Sequence, residues 1–97
     1  MSEFNVVLAP EAEDDIAQAL SWYRERNATA TDAFMAEAFG TIDGLATTAL
    51  GSPADPQGTR RRVMKRFPYS VWFEVVGSTV TVVAVAHHRR RPGYWRG

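Results

Sequence analysis

Two imidazoles, four guanidiniums and two aromatic rings fall within ten residues at His87-His88-Arg89-Arg90-Arg91-Pro92-Gly93-Tyr94-Trp95-Arg96, directly after the apolar run from Val80 to Ala86. Arginine grips phosphate or carboxylate through a forked pattern of donors, aromatic rings stack on bases, and imidazole moves protons near neutral pH. The cluster therefore fits a surface that meets a polyanion or an acidic partner. Its structural alternative is a solvated basic tail.

A second basic group, Arg60-Arg61-Arg62 with Lys65 and Arg66, precedes an aromatic run. In one sheet with the tail it makes a basic ribbon; its structural alternative is an edge strand guarded by charge. His87 and His88 are neighbours, so on a strand they point to opposite faces, and at most one serves a given site. Neither has a convincing Asp, Glu or Cys partner nearby, so no metal is expected, and no other cofactor. Glu11, Glu13, Asp14 and Asp15 are read as complements of a helix dipole rather than an acid–base pair. Trp95 either stacks on a base or folds back to close the core, and Trp22 and Trp72 are assigned to structure or to a partner.

The elements that must position these groups are legible in the pattern. Phe4 to Ala9 reads as a strand, and Pro10 then opens an amphipathic helix to Arg26 with Ala12, Ile16, Leu20 and Tyr23 on one stripe. Asn27 ends it. Thr29 or Thr31 caps a second helix to about Thr48, with Met35, Ala38, Phe39, Ile42, Leu45 and Ala46 on its buried face. After the Gly51–Gly58 loop the period becomes alternating: strands at Arg60 to Phe67, Tyr69 to Val76 and Thr79 to Ala86, the last two joined by Gly77-Ser78. In the middle strand Tyr69, Val71, Phe73 and Val75 share one face, and Ser70, Trp72 and Glu74 a semi-exposed one. The expected fold class is α+β, β-α-α-β-β-β, a helix hairpin on one antiparallel sheet.

The 97 residues suit one domain spanning 1–97, and the 45% apolar and 23% charged fractions exclude a disordered or fibrous class. The chain has no cysteine, which removes thiolate metal sites, disulfides and Cys nucleophiles together. No signal peptide or membrane span is visible, and a cytoplasmic protein is expected. The net charge of zero conceals an asymmetry: residues 1–55 carry ten acids against Arg24 and Arg26, whereas residues 56–97 carry nine bases against Glu74. The basic half can steer toward an anionic partner although the whole is neutral.

The element order, the segment Arg66-Phe67-Pro68-Tyr69-Ser70-Val71-Trp72-Phe73 and the ending from Ala84 to Trp95 resemble the RelE/ParE superfamily of bacterial type II toxins, and the ParE branch more than the RelE branch. The resemblance implies a small cytoplasmic toxin neutralised by a cognate antitoxin, with DNA gyrase as the target. A RelE-like, ribosome-dependent mRNA endonuclease is the alternative, and a non-toxic member that only binds antitoxin and co-represses its operon is another. RelE proteins carry an Arg where this chain has Ser70, and a hydroxymethyl group cannot replace a guanidinium at a pentavalent phosphate. Under the nuclease alternative the catalytic candidates are Arg62, Lys65, Arg66, His88, Arg90 and Tyr94. Under the gyrase reading Arg89, Arg90, Arg91, Tyr94 and Trp95 address the target, while Trp22, Arg61, Lys65, Trp72 and Glu74 hold the antitoxin. An antitoxin that covers the same basic tail is the competing arrangement.

Overall fold

A computed structural model describes residues 3–90 and Tyr94; Arg91 and Trp95 lie outside the described residues. The elements are β1 (Asn5–Leu8), α1 (Pro10–Arg26), α2 (Ala28–Thr48), a 3-10 turn (Ala49–Gly51), β2 (Thr59–Val63), β3 (Tyr69–Val76) and β4 (Thr79–His87). Two helices pack on one four-stranded sheet. No helix among the described residues is long and apolar enough to cross a membrane.

Pro10 starts α1, with Glu11 and Glu13 in the first turn and Arg24 and Arg26 in the last, a charge order that complements the helix dipole. Asn27 serves both helices. Its N–H donates to the Tyr23 carbonyl at 2.7 Å, closing α1, and its Oδ1 accepts the Ala30 N–H at 3.0 Å, opening α2. The cap is therefore neither Thr29 nor Thr31; Thr31 is buried, its hydroxyl donating to the Asn27 carbonyl at 3.0 Å.

The buried stripe of α2 is Thr31, Phe34, Ala38, Ile42 and Leu45. Phe34 is fully buried, whereas Met35 and Phe39, expected inside, are 38% and 39% exposed. The helix is turned so that Phe34 joins an aromatic cluster with Tyr23, Phe67 and Tyr69, at centroid separations of 5.4, 5.3 and 5.0 Å. Such edge and tilted contacts add to the area buried.

The strand order is β1-β4-β3-β2. β1 runs parallel to β4 and the other pairs are antiparallel, so the sheet is mixed rather than wholly antiparallel. The helix hairpin is the reason. α1 leads the chain away and α2 returns it, so that near the end of α2 the Ala46 carbonyl takes the Phe4 N–H at 2.8 Å, beside the start of β1. The chain re-enters the sheet at the end where β1 began, and β2 and β4 must then run with β1.

β2 stops at Val63, short of the expected Phe67. The Glu37 carboxylate on α2 takes the N–H groups of both Lys65 and Arg66, which draws this stretch out of the ladder and delivers Phe67 to the aromatic cluster. At Gly77-Ser78 the φ of Gly77 is +60°, the left-handed conformation that a tight hairpin turn needs and glycine adopts without a Cβ clash.

The register slips once. Trp72 pairs with Ala84 but Phe73 pairs with Val82, leaving Val83 as an extra residue. This bulge shifts the phase of β4. Val80, Val82, Val85 and His87 face the helices, and Ala84, Ala86 and His88 the opposite side. Unbroken alternation would have put His88 under the helices.

Candidate functional site

The end of β4 divides the chemistry between two faces. On the face away from the helices, Arg61, Ser70, Trp72, His88 and Arg90 border a depression of about 210 Å³. Alternation along β2 sends Arg61 outward, with its guanidinium 5.5 Å from the Trp72 ring centroid. Ser70, expected to be semi-exposed, is 1% exposed. Its Oγ lies 3.0 Å from His88 Nε2, with Ala86 opposite it on β4. Glu74 sits further along the same face and accepts from the Thr59 hydroxyl at 3.5 Å.

Arg62 points the other way and is spent on structure. Its Nε donates to Ser52 Oγ at 2.9 Å, Nη1 to Thr48 Oγ1 at 3.0 Å and Nη2 to the Thr48 carbonyl at 2.9 Å. A cation on the last carbonyls of α2 caps that helix. Arg66 Nε is 3.6 Å from Glu37 Oε1. Arg62, Lys65 and Arg66 therefore share a depression against α2, on the opposite side of the sheet from His88. The six nuclease candidates thus divide: Arg62, Lys65 and Arg66 lie beside α2, and His88 lies with Arg90, which also stands over Tyr94.

On the helix side, α1 and the end of β4 enclose a groove of about 570 Å³. The Tyr94 hydroxyl donates to Asp15 Oδ2 at 2.5 Å, and the same oxygen accepts the Val85 N–H at 2.9 Å. The Arg90 guanidinium lies 3.8 Å from the Tyr94 ring centroid, within cation–π range. Burial raises the Tyr94 pKa well above the phenol value, the hydrogen bond to Asp15 and that carboxylate's charge raise it further, and Arg90 opposes them. Tyr94 is thus a fixed donor and not a base.

Tyr69 stacks edge-on against His87 at 5.1 Å, and Trp22 on α1 is 51% exposed with Arg26 4.0 Å over its ring. Burial raises the Tyr23 pKa, and burial followed by the proximity of Tyr23 raises that of Tyr69. Arg89 and Arg90 are exposed at the rim. Of the expected target-binding residues, Arg89, Arg90 and Tyr94 thus lie together.

The expected antitoxin-binding residues divide: Arg61, Trp72 and Glu74 on the outer face, Lys65 beside α2, and Trp22 in the helix-side groove. Sequence reasoning missed Asp15. Its place in the first turns of α1 explains an acid without any further role, and nothing local marks a partner on β4. Among the described residues no three His, Cys, Asp or Glu side chains cluster as metal ligands.

The architecture is thus a hairpin of helices on a mixed sheet of order β1-β4-β3-β2, with a basic and aromatic end to its last strand. The profile of the family described as "ParE toxin of type II toxin-antitoxin system, parDE" matches residues 6–92, and the chain belongs to that family. A solved chain described as "Chromosomal ParDE TA system from P. aeruginosa" superposes with a TM-score of 0.78 at 16% identity, covering 88% of this chain and 96% of that one. That second likeness is one of fold. No curated protein matches the sequence.

Proposed function

We propose that this protein is the toxin of a type II module, that it inhibits DNA gyrase in the cytoplasm, and that a cognate antitoxin neutralises it. The observation that carries the choice of target is Ser70. Cutting RNA requires donors converging on a phosphorane and a base within reach of the 2′-OH. Here the third-strand position is a serine, 1% exposed and held against His88; Arg62 and Arg66 are bound to α2 and Glu37 on the other side of the sheet, which leaves Arg61 and Arg90 as the cations on the His88 face.

Neutralisation is supported by apolar surface that the fold leaves open. Leu8, Ile16, Ala17, Leu20 and Phe39 border a depression between the helices, with exposed Met35 one turn before Phe39. Patches of this kind mark partner surfaces.

Induction of the chain in growing bacteria tests the reading. DNA-damage signalling and filamentation are expected, suppressed by co-expression of the antitoxin. Arrest of translation with intact chromosomes would favour the nuclease.

A further inference from the structure

The depression on the face away from the helices is lined by cations and, among the described residues, by no carboxylate. Arg61, His88 and Arg90 border it, with Trp72 as an apolar wall. Ser70 and Ala86, opposite each other on β3 and β4, make its floor and are 1% and 7% exposed. Neither Arg61 nor Arg90 forms an ion pair with a described residue. Each guanidinium rests on a ring instead, 5.5 Å from the Trp72 centroid and 3.8 Å from that of Tyr94. Glu74, the acid of β3, lies farther along the strand, opposite Thr59. Like charges gathered without a counter-charge repel one another, and an anion seated among them relieves the repulsion.

We infer that this depression binds a phosphomonoester, the chemistry shared by a small organic phosphate and the 5′ end of a nucleic-acid strand. Arg61 offers the forked donors that match phosphate oxygens, and Arg90 stands at the rim between this face and the helix side. Ser70 completes the cradle. Its Oγ lies 3.0 Å from His88 Nε2, so an Nε2–H that donates to Oγ leaves the serine O–H to donate into the depression. The inference needs neither gyrase nor an antitoxin.

Size and charge select the monoester. The volume of about 210 Å³ is below the usual range for whole-ligand sites, about 300–1,000 Å³, and admits a phosphoryl group with its first carbon atoms rather than a run of nucleotides. A monoester carries about −1.5 to −2 charges at neutral pH, which two guanidiniums match, whereas a diester inside a strand carries a single charge. The site holds the phosphate and does not cut it. Arg62, Lys65 and Arg66 lie against α2 on the opposite side of the sheet, so the donors that cleavage needs do not converge here.

Nitrogen-15 NMR of the full chain, made by cell-free synthesis, tests this with methyl phosphate, dimethyl phosphate, and hexathymidylate with and without a 5′-phosphate. Methyl phosphate is expected to shift the Arg61 Nε–H and the amides of Ser70, Ala86 and His88 saturably. Dimethyl phosphate should bind at least about fivefold more weakly. Phosphorylated hexathymidylate that binds more tightly than methyl phosphate assigns a strand end as the source, and equal binding of the two assigns a small phosphate; both support the site. Arg61→Gln should weaken methyl phosphate at least about fivefold and Ser70→Ala at least about threefold, each with the dispersion of a folded spectrum, while Arg24→Gln on α1 leaves binding unchanged. Equal binding of the two methyl esters, unphosphorylated hexathymidylate as tight as the phosphorylated strand, shifts confined to another face, full binding by Arg61→Gln, or no saturable binding would each overturn the assignment. These readouts involve neither gyrase nor toxicity, so failure of the target reading leaves them standing.

Discussion

Asp15 and Tyr94 are 79 positions apart and share one hydrogen bond, the phenol donating to Oδ2 at 2.5 Å. The same carboxylate oxygen holds the backbone of β4 at Val85, so helix α1, the last strand and the C-terminal tail meet at one atom. Removing the donor with Tyr94→Phe should cost about 1 kcal/mol, the net value of one partly exposed hydrogen bond. It should also free Arg90 from its fixed place over the ring. Chemical denaturation measures the first effect, and proteolysis after Arg89 and Arg90 the second, as faster cleavage than in the unaltered chain.

The same contact sets the response to alkali. Tyr23, Tyr69 and Tyr94 all have folded-state pKa values above the ordinary 10.0. The folded state therefore holds their protons more tightly than the unfolded one, and the associated stability is present below pH 10 and lost as the pH climbs through the raised values. Denaturation midpoints should fall above pH 10, and less steeply in Tyr94→Phe. A midpoint that falls equally in both proteins would remove Tyr94 from this account.

Much of the architecture was readable because its signals are local: Pro10 before an acidic turn, the 3.6-residue stripe of α1, the Gly77-Ser78 turn and the alternation of β3. What escaped depends on contacts distant in sequence. Val83 looks like any strand residue, yet it is the bulge that decides which histidine faces the helices. Glu37 ends β2 from 28 residues away. Phe34 displaced Met35 and Phe39 from the core because Tyr23, Phe67 and Tyr69 assemble around it. The basic end of β4 was legible as a cluster by type, but Asp15 was not, since an acid in a first helical turn already has a local explanation.

Arg62 separates a structural cation from a catalytic one. Its three donor nitrogens bind Ser52 and Thr48, so Arg62→Ala should cost about 1–3 kcal/mol, the range for hydrogen bonds to a charged group. Arg62→Lys should recover little of it, because an ammonium cannot reproduce the fork. Toxicity should fall only as far as folded protein is lost. A stable but wholly non-toxic Arg62→Lys would assign that residue to the chemistry.

Phe34→Ala should be close to the limit the fold tolerates. The ring is fully buried among Tyr23, Phe67 and Tyr69, and comparable truncations cost about 3–5 kcal/mol. Calorimetry should find a melting temperature lower by at least about 10 °C, taking roughly 4–8 °C for each kcal/mol in a domain of this size. Phe39→Ala, on the exposed side of the same helix, should leave it within a few degrees.

Replacing Arg89, Arg90 and Arg91 by Ala should abolish growth arrest; an antitoxin that covers the same residues would then lose more than about tenfold in affinity, or 1.4 kcal/mol, and one held elsewhere would not. Growth curves and antitoxin dissociation measured on one triple variant decide between shared and separate surfaces. Loss of toxicity at full antitoxin affinity would separate them.

The most direct measurement is made with purified gyrase, ATP and supercoiled DNA beside purified ribosomes engaged on mRNA. Adding the chain should trap cleaved DNA on gyrase, in an amount that falls as antitoxin is titrated in, and should leave the ribosome-bound mRNA intact. Intact DNA together with codon-specific mRNA cuts that vanish in His88→Ala would contradict the account.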